Sequence, residues 1–348
     1  MLLLDNSIYE DKLYKEREYS IMEIREEYSL ENEISIFKGD CLDLLKRMPD
    51  ESCDLIITSP PYCIGKEYEK KNTDIESFVK QQERIIEDVY RVLKVGGSVC
   101  WQVGYHITEK EVIPLDFYVY QVFNEYSKDK IYPLKLRNRI VWTFGHGLNP
   151  TSRFSGRHEM ILWFTKGDEY PFELDEVRVP QKYPGKRYYR GAKKGQLSGN
   201  KLGKNPSDIW RDIEFSQIWD IPNVKANHVE KTEHPCQFPV ALPTRLIKAL
   251  CPLGGVVLDP YMGAGTTGVA AILEKRKFVG AELSEVYYKI AKDRIQKAID
   301  GTVRVRPDKP VAEPNPKMAV AQLPDEFKKA REEAANEKQK QKKEVEDK

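Results

Sequence analysis

The chain has 348 residues, 40% hydrophobic and 32% charged, which describes a soluble globular protein long enough to bury a substantial core in one large α/β domain or two modest ones. A net charge of +1 excludes any inference of nucleic-acid binding from bulk charge, so local charge must carry that argument. The opening Met1-Leu2-Leu3-Leu4-Asp5 is too short an apolar run for a signal peptide and no later run approaches membrane-spanning length, so a cytoplasmic protein outside the membrane is expected.

Residues 5–33 are rich in Glu, Lys, Arg and Tyr with loose periodicity and read as a charged arm with a solvated face. Ile34 to Lys38 alternates like a strand, Gly39-Asp40 closes it, and Cys41 to Met48 reads as a short helix that Pro49-Asp50 ends. Leu55-Ile56-Ile57 is a buried strand, and Pro60-Pro61 stops it because neither proline can donate to a ladder. Strand, helix, strand is the alternation of a parallel sheet.

The edge that follows carries Ser59, Pro60, Pro61 and Tyr62. Proline fixes its own φ and biases the residue before it toward extended backbone, so the Ser59 hydroxyl and the Pro60 carbonyl point in set directions. A planar amine could stack on Tyr62 while those two oxygens accept its N–H groups; the alternative is a turn that merely ends the strand.

A helix is expected from about Ile75 to Leu93, with Gly96-Gly97 as its stop, then a strand from Ser98 to Val103 and a helix from Val112 to Tyr126. Arg139 to Phe144 and Glu159 to Phe164 would close the sheet with an antiparallel hairpin. From Arg178 to Lys204 there is no Asp or Glu, and Lys182, Lys186, Arg187, Arg190, Lys193, Lys194, Lys201 and Lys204 alternate with tyrosines and glycines. A stretch this one-sided suits a loop-rich surface that follows phosphates, against the plainer reading of a solubilising loop.

The α/β pattern resumes after His234. Val240 to Leu250 is an amphipathic helix, Val256 to Leu258 a strand ending in Asp259, Thr266 to Leu273 a helix opened by Gly263-Ala264-Gly265, and Phe278 to Glu282 a strand. Tyr287 to Ile299 is the last helix of the domain, and the chain beyond Thr302 reads as a disordered or solvated helical tail. A glycine turn between strand and helix, with a carboxylate about twenty residues on at the next strand tip, is a nucleotide-type crevice in which Glu282 can accept ribose hydroxyls. It lacks the third glycine of a dinucleotide fingerprint, so S-adenosylmethionine is the expected ligand. The 6 cysteines and 5 histidines show no ligand spacing, so reduced thiols are expected and no metal is implied.

Ser59-Pro60-Pro61-Tyr62 followed by Asp259-Pro260-Tyr261-Met262-Gly263-Ala264-Gly265-Thr266-Thr267 resembles the amino-group DNA methyltransferases in their β-class order, from about Ile34 to Ile299. The resemblance implies a Rossmann-like α/β fold that uses S-adenosylmethionine, with Ser59, Pro60, Pro61 and Tyr62 catalytic. It implies a cofactor site of Asp259, Pro260, Gly263, Gly265, Thr266 and Thr267, with Glu282 on the ribose, Asp40 near the adenine, and His234 and Gln237 in the segment approaching the methionine end. The implied organisation is an arm at 1–33, a catalytic half at 34–172, a target-recognition region at 173–229 that binds double-stranded DNA, a cofactor half at 230–302 and a tail at 303–348. A cognate restriction endonuclease and a homodimer are the partners the resemblance raises.

A serine before Pro-Pro resembles the N4-cytosine enzymes of this family and an aspartate the N6-adenine ones, so N4-cytosine is expected, with N6-adenine as the alternative. Pro235-Cys236-Gln237 resembles the nucleophile segment of the cytosine-C5 enzymes, but there the cysteine follows the cofactor glycines; Cys236 is read as non-catalytic. An RNA or small-amine methyltransferase would share both motifs without needing the basic insert. A dead DNA-binding relative would keep the insert and lose the Ser59 motif.

Overall fold

The protein is described here by a computed structural model covering residues 22–61, 74–144, 150–210, 221, 223–224, 228–306 and 324–346. Tyr62 and most of the N-terminal arm lie outside these residues. The chain divides into two compact units: one formed by Ile24–Val179 and Asn205–Glu313, the other by Met1–Glu23, Pro180–Lys204 and Pro314–Lys348.

In the larger unit β1 (Ile24–Arg25), β2 (Ile34–Lys38) and α1 (Cys41–Arg47) lead to β3 (Cys53–Thr58), then α2 (Ile75–Val92) and β4 (Leu93–Val103). A small hairpin, β5 (His106–Thr108) and β6 (Glu111–Ile113), precedes α3 (Leu115–Ser127), β7 (Leu134–Thr143), β8 (His158–Lys166), the single turn α4 (Leu174–Val177) and β9 (Ile209–Trp210). The second half supplies α5 (Ala241–Leu250), β10 (Val256–Asp259), α6 (Thr266–Leu273), β11 (Lys277–Glu282) and α7 (Glu285–Ile299).

The main sheet has the order β1-β2-β11-β10-β3-β4-β8-β7-β9. All neighbours are parallel except β8, which runs antiparallel to both β4 and β7, as the hairpin expected from the sequence requires. Helices cover both faces, which is why the central strands read as unbroken apolar runs. On β3, Leu55 and Ile57 face the cluster packed by α5, α6 and α7, while Ile56 faces the one packed by α1, α2 and α3. Cys41, Cys53, Cys100 and Cys251 are buried in these layers, where burial pushes each of these thiols up, to about 12 for Cys41 and Cys251.

Gly96-Gly97 differs from its expected role. The α2 helix passes directly into β4, capped by Leu93 N–H donating to the Val89 carbonyl, and the glycines lie inside the strand at a register shift against β3. Gly96 has φ +82°, and a Cβ there would sit 2.9 Å from the Glu169 carbonyl oxygen, so the glycine marks a bulge instead of a helix end.

Candidate active site

Strands β3 and β10 are parallel neighbours, with Val257 opposite Leu55 and Leu258 opposite Ile56, so their C-terminal ends open on the same edge. Parallel β11 and β2 end there too, in Glu282 and in Lys38 before Gly39-Asp40. Two stretches some two hundred residues apart thereby meet at the carboxyl edge of one sheet, where open α/β folds bind ligands. A cavity of about 800 Å³ lies at this edge, lined by Ser59, Pro60 and Pro61 together with Asp40, His234, Gln237, Pro260, Gly263, Thr266 and Glu282.

The glycine turn shapes one wall. Gly263 (φ +51°) and Gly265 (φ +71°) both adopt left-handed backbone, which costs a residue with a Cβ. A Cβ on Gly263 would lie 3.0 Å from His234 Nε2, and one on Gly265 would lie 2.9 Å from the Ala291 Cβ and 3.0 Å from its Cα. The turn is thus wedged between the His234 segment and α7. Gly265 caps α6 without a side-chain bond, leaving the first-turn amides of that helix without a side-chain acceptor.

Glu282 closes the turn from the next strand. Its Oε2 accepts from the Gly263 N–H at 3.0 Å and its Oε1 from the Ser284 N–H at 2.8 Å, leaving lone pairs on both oxygens toward the cavity. Burial outweighs these bonds and, with a smaller contribution from the charge of Asp259, pushes its carboxyl up to about 7. Asp40 caps α1, its Oδ1 accepting from the Leu42 N–H at 2.9 Å. His234 packs edge-on against Tyr287 at 4.5 Å, and its Nδ1 accepts from the Cys236 N–H at 3.3 Å, which puts the proton of the neutral ring on Nε2. Burial first, then the charges of Lys231 and Arg294, lower the imidazole to about 4.

Three of the residues singled out from the cofactor motif stand behind the wall instead of on it. Asp259 is buried, with Oδ1 accepting from Thr58 Oγ1 at 2.7 Å and the Tyr261 N–H at 3.1 Å, and Oδ2 from Thr267 Oγ1 at 2.7 Å. Burial pushes Asp259 up to about 6 against these donors. Asp259 and Thr267 therefore spend their polar groups tying the end of β10 to β3 and to α6, and Gly265 packs on α7. Gln237 reaches the cavity, but its Oε1 accepts from Thr232 at 2.8 Å and its Nε2 donates to the Glu230 carbonyl at 2.7 Å, stitching the His234 segment to itself.

Sequence reasoning missed several residues here. Lys80, Gln81 and Arg84 on α2 line the cavity, although only the apolar face of that helix stood out in the sequence. Thr58 is the direct tie between the two motifs, and nothing separates a buried threonine from its strand neighbours on paper. Arg294 on α7 is buried and donates from Nη1 to the Ala264 carbonyl at 2.6 Å and to Thr266 Oγ1 at 2.9 Å, holding the turn from beneath.

The basic insert belongs to the smaller unit. Tyr188 N–H donates to the Gln196 carbonyl, Gly195 N–H to the Tyr188 carbonyl and Ser198 N–H to the Lys186 carbonyl, folding residues 186–198 back on themselves around an Arg187–Leu197 bridge. Lys182, Lys186, Arg187, Arg190, Lys193, Lys194 and Lys201 are exposed and Lys204 half-exposed. Tyr189 is 83% exposed, and Lys193 lies 6.0 Å from the Tyr188 ring centre.

The sequence profile of the N6/N4 DNA methylase family matches residues 53–293. The chain belongs to this family of DNA amino-methyltransferases. It is 44% identical over 257 residues to the type II methyltransferase M.BglII of Bacillus subtilis, covering 74% of this chain and 67% of that one. It is 32% identical to the DNA adenine methyltransferase YhdJ of Escherichia coli K12, over 76% and 83% of the two chains. Among solved structures, TTHA0409 of Thermus thermophilus, a DNA modification methylase by its description, matches with TM-score 0.53 and 26% identity over 76% of this chain and 96% of that one. That protein has also been solved with S-adenosyl-L-methionine bound. The fold of this methyltransferase is the Rossmann-like one of its family, and S-adenosylmethionine is its cofactor.

The residues present fit that cofactor. A carboxylate with free lone pairs at a strand tip, backbone brought close by two left-handed glycines and uncapped helix amides are what a sugar diol and an amino-acid end require. Among the described residues no group of His, Cys, Asp and Glu could hold a metal, and no helix is long and apolar enough to cross a membrane.

Proposed function

We propose that this methyltransferase methylates the N4 amine of cytosine at a specific sequence in double-stranded DNA, with Ser59, Pro60, Pro61 and Tyr62 as its catalytic motif. The observation that carries the reading is the cavity joining the Ser59-Pro60-Pro61 edge to the glycine turn and Glu282. S-adenosylmethionine supplies a methyl group already activated on a sulfonium. What the protein must do is make an aromatic amine nucleophilic, because the amine's lone pair is delocalised into its ring. Ser59 Oγ and the Pro60 carbonyl, set by the proline backbone, accept hydrogen bonds from the two amine N–H groups and favour a pyramidal nitrogen with a localised lone pair; one of those hydrogens leaves as a proton once the methyl–sulfur bond has given way to the methyl–nitrogen bond. Unstacking the base costs a few kcal/mol, and stacking on the Tyr62 ring returns about 1–3 kcal/mol of it.

In this reading Glu282 accepts the ribose hydroxyls, Asp40 lies toward the adenine and His234 toward the methionine end. Residues 173–229 hold the target, with the exposed cations of 182–204 on phosphates. The choice of cytosine rests on Ser59, since a hydroxyl is a weaker acceptor than the carboxylate expected for adenine. The identity to YhdJ, named as an adenine enzyme, supports N6-adenine as the second reading. A type II relative such as M.BglII supports a cognate restriction endonuclease as partner and, with it, a cytoplasmic setting.

The test is to incubate the protein with duplex DNA of mixed sequence and methyl-labelled S-adenosylmethionine, digest to nucleosides and identify the labelled one. N4-methylcytosine is expected. N6-methyladenine would overturn the base assignment, and no label in the DNA with S-adenosylmethionine still bound would overturn the substrate in favour of RNA or a small amine.

A further inference from the structure

The smaller unit holds a second element that the proposed reaction does not use. Residues Asp325–Glu346 form a helix, α8, in the tail that the sequence reads as disordered or as a solvated helix. Its residues are mostly strong helix formers, so the helix can form without packing, and a docked face on it is a separate feature of the fold. Such a face is present: Phe327 is 1% exposed, and Ala330, Arg331 and Ala334 are half-buried. These are positions i, i+3, i+4 and i+7, one stripe of the helix. Asp325 and Glu326 before the stripe and Lys328, Lys329, Glu332 and Glu333 within it are exposed.

Within the same compact unit one residue of the stripe, Arg331, meets the basic insert. Arg331 Nε donates to the Lys201 carbonyl at 3.4 Å. Lys201 stands at the base of the folded-back segment, where Gln181 Nε2 donates to the Asn200 carbonyl and Asn200 Oδ1 accepts from the Leu202 N–H at 2.8 Å. The insert is a poor candidate to hold its own shape: it contains no carboxylate, its cations repel one another, and several glycines give it conformational freedom to lose.

We propose that α8 is a structural part of the DNA-holding unit, bracing the base of the basic insert through the Phe327–Ala334 stripe so that the insert's cations are presented in one arrangement to phosphates. This rests on the DNA-binding reading of the insert given above. Bracing lowers the ordering cost that binding would otherwise meet, so its loss weakens DNA binding without touching the cofactor cavity.

The test uses the full chain with Phe327→Asp, and Arg331→Ala as a milder variant. Three readouts are taken: amide exchange across residues 183–201, affinity for unmodified duplex DNA at fixed salt, and affinity for S-adenosylmethionine. The expected result for Phe327→Asp is faster exchange across the insert and DNA affinity weaker by about 10-fold, with cofactor affinity unchanged; Arg331→Ala shifts both in the same direction by less. Wild-type exchange, or wild-type DNA affinity in spite of faster exchange, overturns the proposal. A wild-type chain that binds no duplex at all refutes instead the reading on which it rests.

Discussion

Replacing Gly265 by alanine tests how the glycine turn between β10 and α6 is built. At φ +71° a residue with a Cβ costs about 1–2 kcal/mol. The new Cβ would also lie 2.9 Å from the Ala291 Cβ, 3.0 Å from its Cα and 3.2 Å from its carbonyl oxygen, and two of those three atoms are helix backbone that cannot swing away. Overpacking of that kind costs roughly 1–3 kcal/mol, so the whole penalty is about 2–5 kcal/mol. That is a large fraction of the roughly 5–15 kcal/mol that holds a domain folded. Gly263→Ala, at φ +51°, finds its nearest neighbours on the His234 side chain at 3.0 Å and not on helix backbone, so its stability loss is nearer the backbone cost of about 1–2 kcal/mol while its effect falls on cofactor affinity. Denaturant unfolding and equilibrium cofactor binding separate the two. Ala291→Gly in the Gly265→Ala background should restore part of the stability, since it removes the nearest contact and leaves the next. Gly265→Ala with stability within about 0.5 kcal/mol of wild type and unchanged cofactor affinity would refute the wedge between turn and helix.

Thr58→Val removes one of three donors to the buried Asp259 carboxyl and should cost about 1–3 kcal/mol in denaturant unfolding. It should also raise the Asp259 pKa further. Glu282, pushed up to about 7, accepts hydroxyls best when ionised, so cofactor affinity should fall as pH drops from 8 to 6, and Glu282→Gln should bind more weakly with a flat profile. Without cofactor the sign is opposite: the folded protein holds the Glu282 proton more tightly than the unfolded chain, so this group's stabilisation is lost as pH rises from 4.5 through 7. His234 runs the other way. Its folded value near 4 lies below the ordinary 6.5, so its contribution is present above pH 6.5 and lost as pH falls through 4. His234→Gln should flatten that part of the unfolding curve.

Much of this was legible because a two-residue proline stop and a glycine turn between strand and helix leave local marks. The apolar runs at Leu55–Ile57 and Val256–Leu258 announced buried parallel strands, and their pairing put Ser59 and Gly263 on one edge. The cavity-facing place of Glu282 was legible, but the structural role of Asp259 was not. Asp259 and Glu282 both end a strand beside the cofactor turn, and only the fold shows that the first faces Thr58 and Thr267 instead of the cavity. Gly96-Gly97 reads as a helix stop because glycine has the same signature at a C-cap and at a bulge, and the nearby Glu169 carbonyl is about seventy residues away in sequence. The association of α8 with the insert joins segments more than a hundred residues apart, beyond any periodicity or spacing rule. The polar cavity wall of α2 went unread for a related reason: helical spacing identifies what a helix buries in the core, and Lys80 and Arg84 face a ligand space instead.

The central claim is that the Ser59-Pro60-Pro61 edge activates the amine inside the cavity that holds the cofactor. Single-turnover methyl transfer by Ser59→Ala, with duplex and S-adenosylmethionine both saturating, tests it most directly. Losing one acceptor from the reacting amine should slow transfer by about 10²–10³-fold, with both binding affinities near wild type. Transfer at the wild-type rate would contradict the account.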